Sequence, residues 1–283
     1  MYRLKPWSDV VYVFDSRGWS YRYSHLHSID PGVRLGQNIQ KGQTIGLLGK
    51  EGGSGGWAHL HFEIKSLQPS GKWGTQAGYA FIWEAYLRQH QPKLIAVTRP
   101  HHLAWNGEKV VLDATRSWGS SGDNLHYEWR FTDGTSAQGE KVERIYDKPG
   151  SYSEILRVTD DKGQVDYDFA LVYVRNREKP ELVPPAIHAC FHTSLGLHPG
   201  DEVTFKVRTF NTTHGRETLD FGDGSDKVTV QSDGNVHMHN PDGYAITTHR
   251  YREPGDYIVE VTRADEHGQK AVMHLHVRVN AKR

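Results

Sequence analysis

The chain has 283 residues, 36% of them hydrophobic, and Lys plus Arg balance Asp plus Glu at 34 each. Such a length suits two or three domains with ordinary cores, and the even charge excludes a basic field for nucleic acid or for an anionic membrane surface. Cys190 is the single cysteine, which excludes an internal disulfide, and no run of about 20 apolar residues or secretory h-region predicts a transmembrane segment or an export signal.

Residues 10–64 read as short β segments divided by glycine turns: DVVYVFD, WSYRYSHL, GVRLGQNIQKGQTIGLLG and WAHLHFEI. A helix is predicted over YAFIWEAYLRQH, 79–90, where Phe81, Ile82, Ala85 and Tyr86 fall at helical spacing and Pro92 stops the run. A domain boundary near residue 93 follows. Beyond it the pattern is β throughout, with KVVLDA, LHYEWRF, YSEILRV and FALVYV separated by Gly, Asp and Asn clusters at the spacing of a sandwich.

The rest of the chain repeats itself. WRFTDGT at 129–135 matches LDFGDGS at 219–225, and YDKPGSYSEILRVTDDKG at 146–163 matches YREPGDYIVEVTRADEHG at 251–268, in the same order. The two anchors lie 15 residues further apart in the second copy, which therefore carries a polar insertion. Asp-Gly after an apolar strand signals a turn, and Pro-Gly followed by Tyr begins a strand with alternate positions facing a core. The charged, proline-rich RNREKPELVPP at 175–185 reads as a semi-stiff spacer between copies. With these FxDG and YxxPGxY motifs both copies resemble the PKD domain, an immunoglobulin-like sandwich. The resemblance implies spacing, adhesion or polymer binding.

The chemistry lies earlier. In GGSGGWAHLHFEI, 52–64, a glycine run precedes two histidines one residue apart in a strand, so His59 and His61 share a face while Leu60 and Phe62 take the other. Two imidazoles side by side can share a metal, or one can ligate while the other handles a proton. YRYSHL, the GVRLGQNIQKGQTIGLLG stretch and AHLHFEI follow in an order that resembles the lysostaphin-like, or LytM-type, zinc endopeptidases, over about the last two thirds of such a domain. The resemblance implies that His61 is a zinc ligand, that His25 and His59 are the catalytic pair activating water and steadying the oxyanion, and that glycines 52, 53, 55 and 56 let the loop pass close to a bound peptide.

One departure is serious. The family's other two ligands come from an H-x-x-x-D element upstream, and none of the 18 histidines here has Asp four residues after it. A catalytic zinc takes three protein ligands plus water, so the site is incomplete. The expectation is that the chain begins after the missing element; the alternative is a degenerate domain that kept its fold for binding.

Plainer readings stand beside these. HLH recurs at 274–276, where Met273, Leu275 and Val277 are expected on the core face and the histidines outside; the glycine loop and Phe62-Glu63 set 59–61 apart. His25 has a surface reading beside His27. His188, Cys190 and His192 in HACFH formally resemble a soft metal site, although a buried cysteine in a strand packs as a small hydrophobe. His237 and His239 are weaker candidates. Asp133 and Asp223 are expected to cap turns rather than bind calcium, and Trp57, Trp73, Trp105 and Trp118 could stack on sugars. A biotinyl or lipoyl carrier reading of the GQ-rich stretch is set aside, because neither Lys41 nor Lys50 lies beside methionine and a carrier has no use for HLHFE.

The sequence thus predicts a mostly β protein: a partial peptidase β-sheet domain with one short helix over 1–92, then two immunoglobulin-like sandwiches over 93–177 and 186–283. The implied function is zinc-dependent hydrolysis of a peptidoglycan peptide or another peptide, outside the cell or in the bacterial envelope. Polysaccharide or protein contact through the sandwiches, and no nucleic-acid partner, complete the expectation. The alternative is a non-enzymatic surface-binding or spacer protein.

Overall fold

The computed structural model describes residues 9–54, 58–120, 122, 124–233 and 243–282. Backbone contacts divide the chain between Gln91 and Pro92 into two compact units. In the first, strands β1 (Val11–Phe14), β2 (Ser20–Ser24), β3 (Leu26–Ile29), β4 (Gly46–Leu48), β5 (His61–Leu67) and β6 (Trp73–Gln76) precede helix α1 (Tyr79–His90). Strands β1, β2, β5 and β6 form an antiparallel sheet in the order β1-β2-β5-β6, and β3 pairs with β4 separately. Val11 and Ile64 are buried while Tyr12 is exposed, the alternation of a sheet with one covered face.

Two sequence expectations change here. Most of the GQ-rich stretch is turn rather than strand: Val33 N–H donates to Asp30 O, Gln37 N–H to Arg34 O and Gln43 N–H to Gln40 O, so successive turns satisfy the backbone locally and only its end, β4, joins a ladder. The helix occupies 79–90, but its apolar face is not the expected one. Phe81 packs near the rings of Trp19 and Tyr21, whereas Ile82 and Tyr86 are exposed and no helical residue is buried. Tyr79, Trp83 and Tyr86 stack on one another along the helix instead. The helix ends where Gln91 turns left-handed and its N–H caps Leu87 O, just before Pro92.

The second unit is wholly β among its described residues. Its first sandwich runs through β7 (Leu94–Ile95), β8 (His102–Trp105), β9 (Lys109–Asp113), β10 (Trp118–Gly119), β11 (Leu125–Arg130), β12 (Ser136–Gln138), β13 (Lys141–Ile145), β14 (Gly150–Asp160) and β15 (Val165–Arg175). The second comprises β16 (Ala186–His192), β17 (Val203–Phe210), β18 (Glu217–Asp220), β19 (Val228–Val230), β20 (Ala245–His249), β21 (Gly255–Ala264) and β22 (Lys270–Val279). One core gathers Leu112, Trp129, Leu156 and Val172; the other gathers Phe205, Leu219, Phe221 and Val259. A nine-stranded sheet runs through both, because β22 pairs with β14.

That pairing overturns the outward placement of the second HLH. Met273, Leu275 and Val277 do face the core of their own sandwich. The opposite face of β22 is covered by the first sandwich, so His274 is buried at 5% exposure, with Nδ1 2.6 Å from Ser153 O. Cys190 is corrected in the other direction: it is exposed, on the outer face of edge strand β16. Asp133 and Asp223 cap turns as expected, through Thr135 and Ser225.

Candidate active site

Strand β2 ends at Ser24, which pairs with His61 at the start of β5, so the chain brings His25 and His61 to neighbouring strand ends. His25 then turns left-handed, with φ of 66°, between β2 and β3, and its ring is buried rather than lying on the surface beside exposed His27. His59 enters from the loop before β5. Gly49 ties these together: its N–H donates to His25 O at 2.9 Å, and its carbonyl accepts from His59 N at 3.3 Å. Only glycine fits there, since a Cβ would lie 2.5 Å from His27 N.

The three predicted residues gather as a cluster. The rings of His25 and His59 have centroids 4.7 Å apart, and those of His25 and His61 5.8 Å. His25 Nδ1 lies 2.7 Å from Glu51 O. A carbonyl only accepts, so Nδ1 carries the proton and donates, which leaves the Nε2 lone pair free in the neutral ring. In that tautomer Nε2 is the acceptor nitrogen of the ring.

Asp9 is the member that sequence reasoning missed. Its Oδ2 accepts from His25 N at 3.3 Å and lies 3.6 Å from Nδ1, while its backbone O accepts from Leu26 N at 3.0 Å. Gly52, at φ of 65°, gives Asp9 room, because a Cβ there would lie 2.6 Å from the carboxylate. Gly53 has open space, and Gly55, Gly56 and Trp57 lie outside the described residues. No motif marks Asp9 or the Glu51 carbonyl. Both act on His25 across 16 and 26 residues of chain, through contacts that only the folded backbone creates.

The metal expectation meets a plain difficulty. Among the described residues no three His, Cys, Asp or Glu side chains are arranged to hold a metal ion. His61 is exposed and available as one ligand, yet one imidazole does not make a zinc site. The same holds for His188, Cys190 and His192, which share the outer face of β16 without forming a metal-holding group. His188 is nonetheless perturbed, burial and then Arg208 holding its imidazole below the ordinary range. His237 and His239 lie outside the described residues, and Trp73, Trp105 and Trp118 are exposed on separate strands. Lys41 pairs with Glu84 at 3.1 Å, and Lys50 lends its carbonyl to the Ser54 hydroxyl.

Comparison with known proteins sets names beside this geometry. Residues 3–72 match the family model of Peptidase family M23, and residues 91–174 and 188–279 each match a PKD domain model. Among solved structures, a nucleoside hydrolase-related hypothetical protein from Saccharophagus degradans aligns at 18% identity over 30% of this chain and 26% of its own, with a TM-score of 0.26. Carbohydrate-binding modules of the β-sandwich superfamily align at 15% identity over 66% of this chain and 96% of theirs, TM-score 0.27. The D0-D1 domain of Intimin aligns at 15% identity over 66% and 97%, TM-score 0.31. Likenesses at these TM-scores carry no argument about function.

Proposed function

From a chain that carries a Peptidase family M23 region followed by two PKD domains, we propose a peptidase of the peptidoglycan-hydrolase type, with zinc as its metal and a peptidoglycan stem or cross-bridge peptide as substrate. The observation that carries the reading is the convergence of His25, His59 and His61, with the proton of His25 fixed on Nδ1 by Glu51 O. In a zinc peptidase the bound metal polarises the scissile carbonyl and acidifies water. The part that falls to this chain's own residues is proton handling and orientation. His25 accepts a proton at Nε2, a task suited to an imidazole near neutral pH. His59, beside it, donates a hydrogen bond to the oxygen on which charge develops. His61 serves as a metal ligand, although among the described residues no three His, Cys, Asp or Glu side chains are grouped to complete a site.

That shortfall favours one second reading, a non-enzymatic peptide- or surface-binding protein built on the same fold. In either case the PKD domains act as spacers or make contact with polysaccharide or protein, and the protein works outside the cell or in the bacterial envelope. Among the described residues no helix is long and apolar enough to cross a membrane.

Elemental analysis of the purified chain and of His61→Ala separates the readings. Near-stoichiometric zinc that disappears in the variant, with peptide release from purified peptidoglycan that His25→Ala abolishes, supports the peptidase. No zinc in either protein, with peptidoglycan retained in a sedimentation assay but never cleaved, overturns it in favour of binding.

A further inference from the structure

Tandem sandwiches joined by a charged, proline-rich segment are expected to behave as separate beads. The junction here is built otherwise. Strand β14 pairs with β11 only over Ile155–Asp160, and the stretch of edge this leaves open is taken by β22 of the second sandwich, Gly150 opposite Lys270 and Ser151 opposite Ala271. The approach is close enough that a Cβ on Gly150 would stand 2.7 Å from Lys270 O. An open strand edge is thus closed by the neighbouring domain, which satisfies backbone groups that would otherwise need water.

Side chains extend the seam in both directions. Beyond the ladder, Ser153 Oγ accepts from His274 N at 3.2 Å and Ser153 O accepts from His274 Nδ1 at 2.6 Å, with both residues buried. Arg278 of β22 donates to Val165 O at 2.8 Å, and the ring of His276 lies 4.9 Å from Tyr167. The connecting segment is pinned at both ends of one dipeptide. Pro185 O accepts from Ser151 Oγ in the first sandwich at 2.5 Å, and Pro184 O accepts from Asn211 Nδ2 in the second at 3.0 Å. Further back, Arg177 is held by Asn106 and Glu108.

We propose that the two PKD domains form one rigid, fixed-angle body whose seam is the β14–β22 pairing and the Ser153–His274 contact, rather than a flexible string of two. A ligand-binding or spacing function in this region would then present both sandwiches in one orientation, without the ordering cost that a flexible tandem incurs on engaging a surface.

Residual dipolar couplings measured on the full chain test this directly. The expected result is one alignment tensor that fits the amides of both sandwiches; two distinct tensors would overturn the proposal. Gly150→Val should split the single tensor into two by wedging the strands apart. Because that change could also disturb β14 itself, His274→Ala provides the second arm: both sandwiches keep their own cores, and the two halves should again require separate tensors. If both variants fold and both retain a single tensor, the seam assigned here is not what holds the domains together.

Discussion

In the first sandwich the rings of Tyr146 and Tyr152 meet at 4.7 Å and Tyr152 donates to Lys148 O; in the second Tyr251 and Tyr257 meet at 4.3 Å and Tyr257 donates to Glu253 O. The DG turns correspond as closely. What differs is the charge buried inside this common frame. Glu154 accepts from Thr132 N at 2.7 Å with no guanidinium bonded to it, whereas Glu217 receives Arg263 Nη1 at 2.7 Å, together with Thr209 Oγ1 and both Ser232 donors. All three charged side chains are sealed from water. The repeat therefore dictates corners and turns, which are local, while each copy solves its interior charge separately.

The comparison breaks most strongly at the cores. Trp129 and Leu219 occupy matching positions at 1% and 0% exposure, but only Trp129 also donates from its indole, to Gly139 O at 2.9 Å. Trp129→Ala should cost about 4 kcal/mol and Leu219→Ala about 3 kcal/mol in chemical denaturation of the full chain. Arg263→Ala should cost about 3 kcal/mol, because it strands Glu217 as a buried carboxylate; Glu154→Gln, at a carboxyl that Arg144 influences only from a distance and no guanidinium bonds, should cost far less. An equal loss in these two variants would show that the interiors are not different after all.

pH sharpens the same contrast. Burial holds the Glu154 carboxyl above the ordinary glutamate range, against the hydrogen bond from Thr132 N. Its contribution to stability is therefore fully present below the usual glutamate pKa and is lost as pH rises through the raised value. Burial also pushes Glu217 up, but the bonds from Ser232 and Thr209 outweigh it and the net shift is downward. Its contribution is present above the usual pKa and lost as pH falls through the lowered one. Melting temperatures between acid and neutral pH should show Glu154→Gln gaining on the wild type as pH rises, and Glu217→Gln gaining on it as pH falls.

How much of this the sequence carried follows from the range of each signal. The FxDG and YxxPGxY motifs sit within a few residues of the contacts they make, so strands, turns and the repeat were readable. At the candidate site the triad of His25, His59 and His61 is nameable because His25 lies in the short YRYSHL motif and the other two share AHLHFE. Asp9 and the Glu51 carbonyl are not, since their relation to His25 exists only after β1, β2 and the loop before β5 are assembled. The burial of His274 is hidden from the sequence for a related reason. Period-2 alternation tells which face a residue takes, and nothing in it tells that a second domain covers that face.

The smallest expected effect lies at the turns, where the copies agree in form and differ in setting. Asp133 caps its turn through the hydroxyl and amide of Thr135 and also pairs with Arg144, while its side chain is half exposed at 51%. Asp223 caps through Ser225 and is joined at 2.7 Å by His249, with both side chains at only 15% exposure. Each hydrogen bond is worth about 1 kcal/mol, and less where water competes. Asp133→Ala should therefore cost about 1 kcal/mol and Asp223→Ala about 2 kcal/mol at neutral pH. The Thr135 bonds and Arg144, acting against burial, hold Asp133 at about 2. Its contribution is thus present above the ordinary aspartate pKa and is lost only below it, as pH falls through about 2, so the penalty of Asp133→Ala should shrink in denaturation run in strong acid. A penalty that stayed constant down to that pH would mean that the backbone of the turn, not the carboxylate, holds the corner.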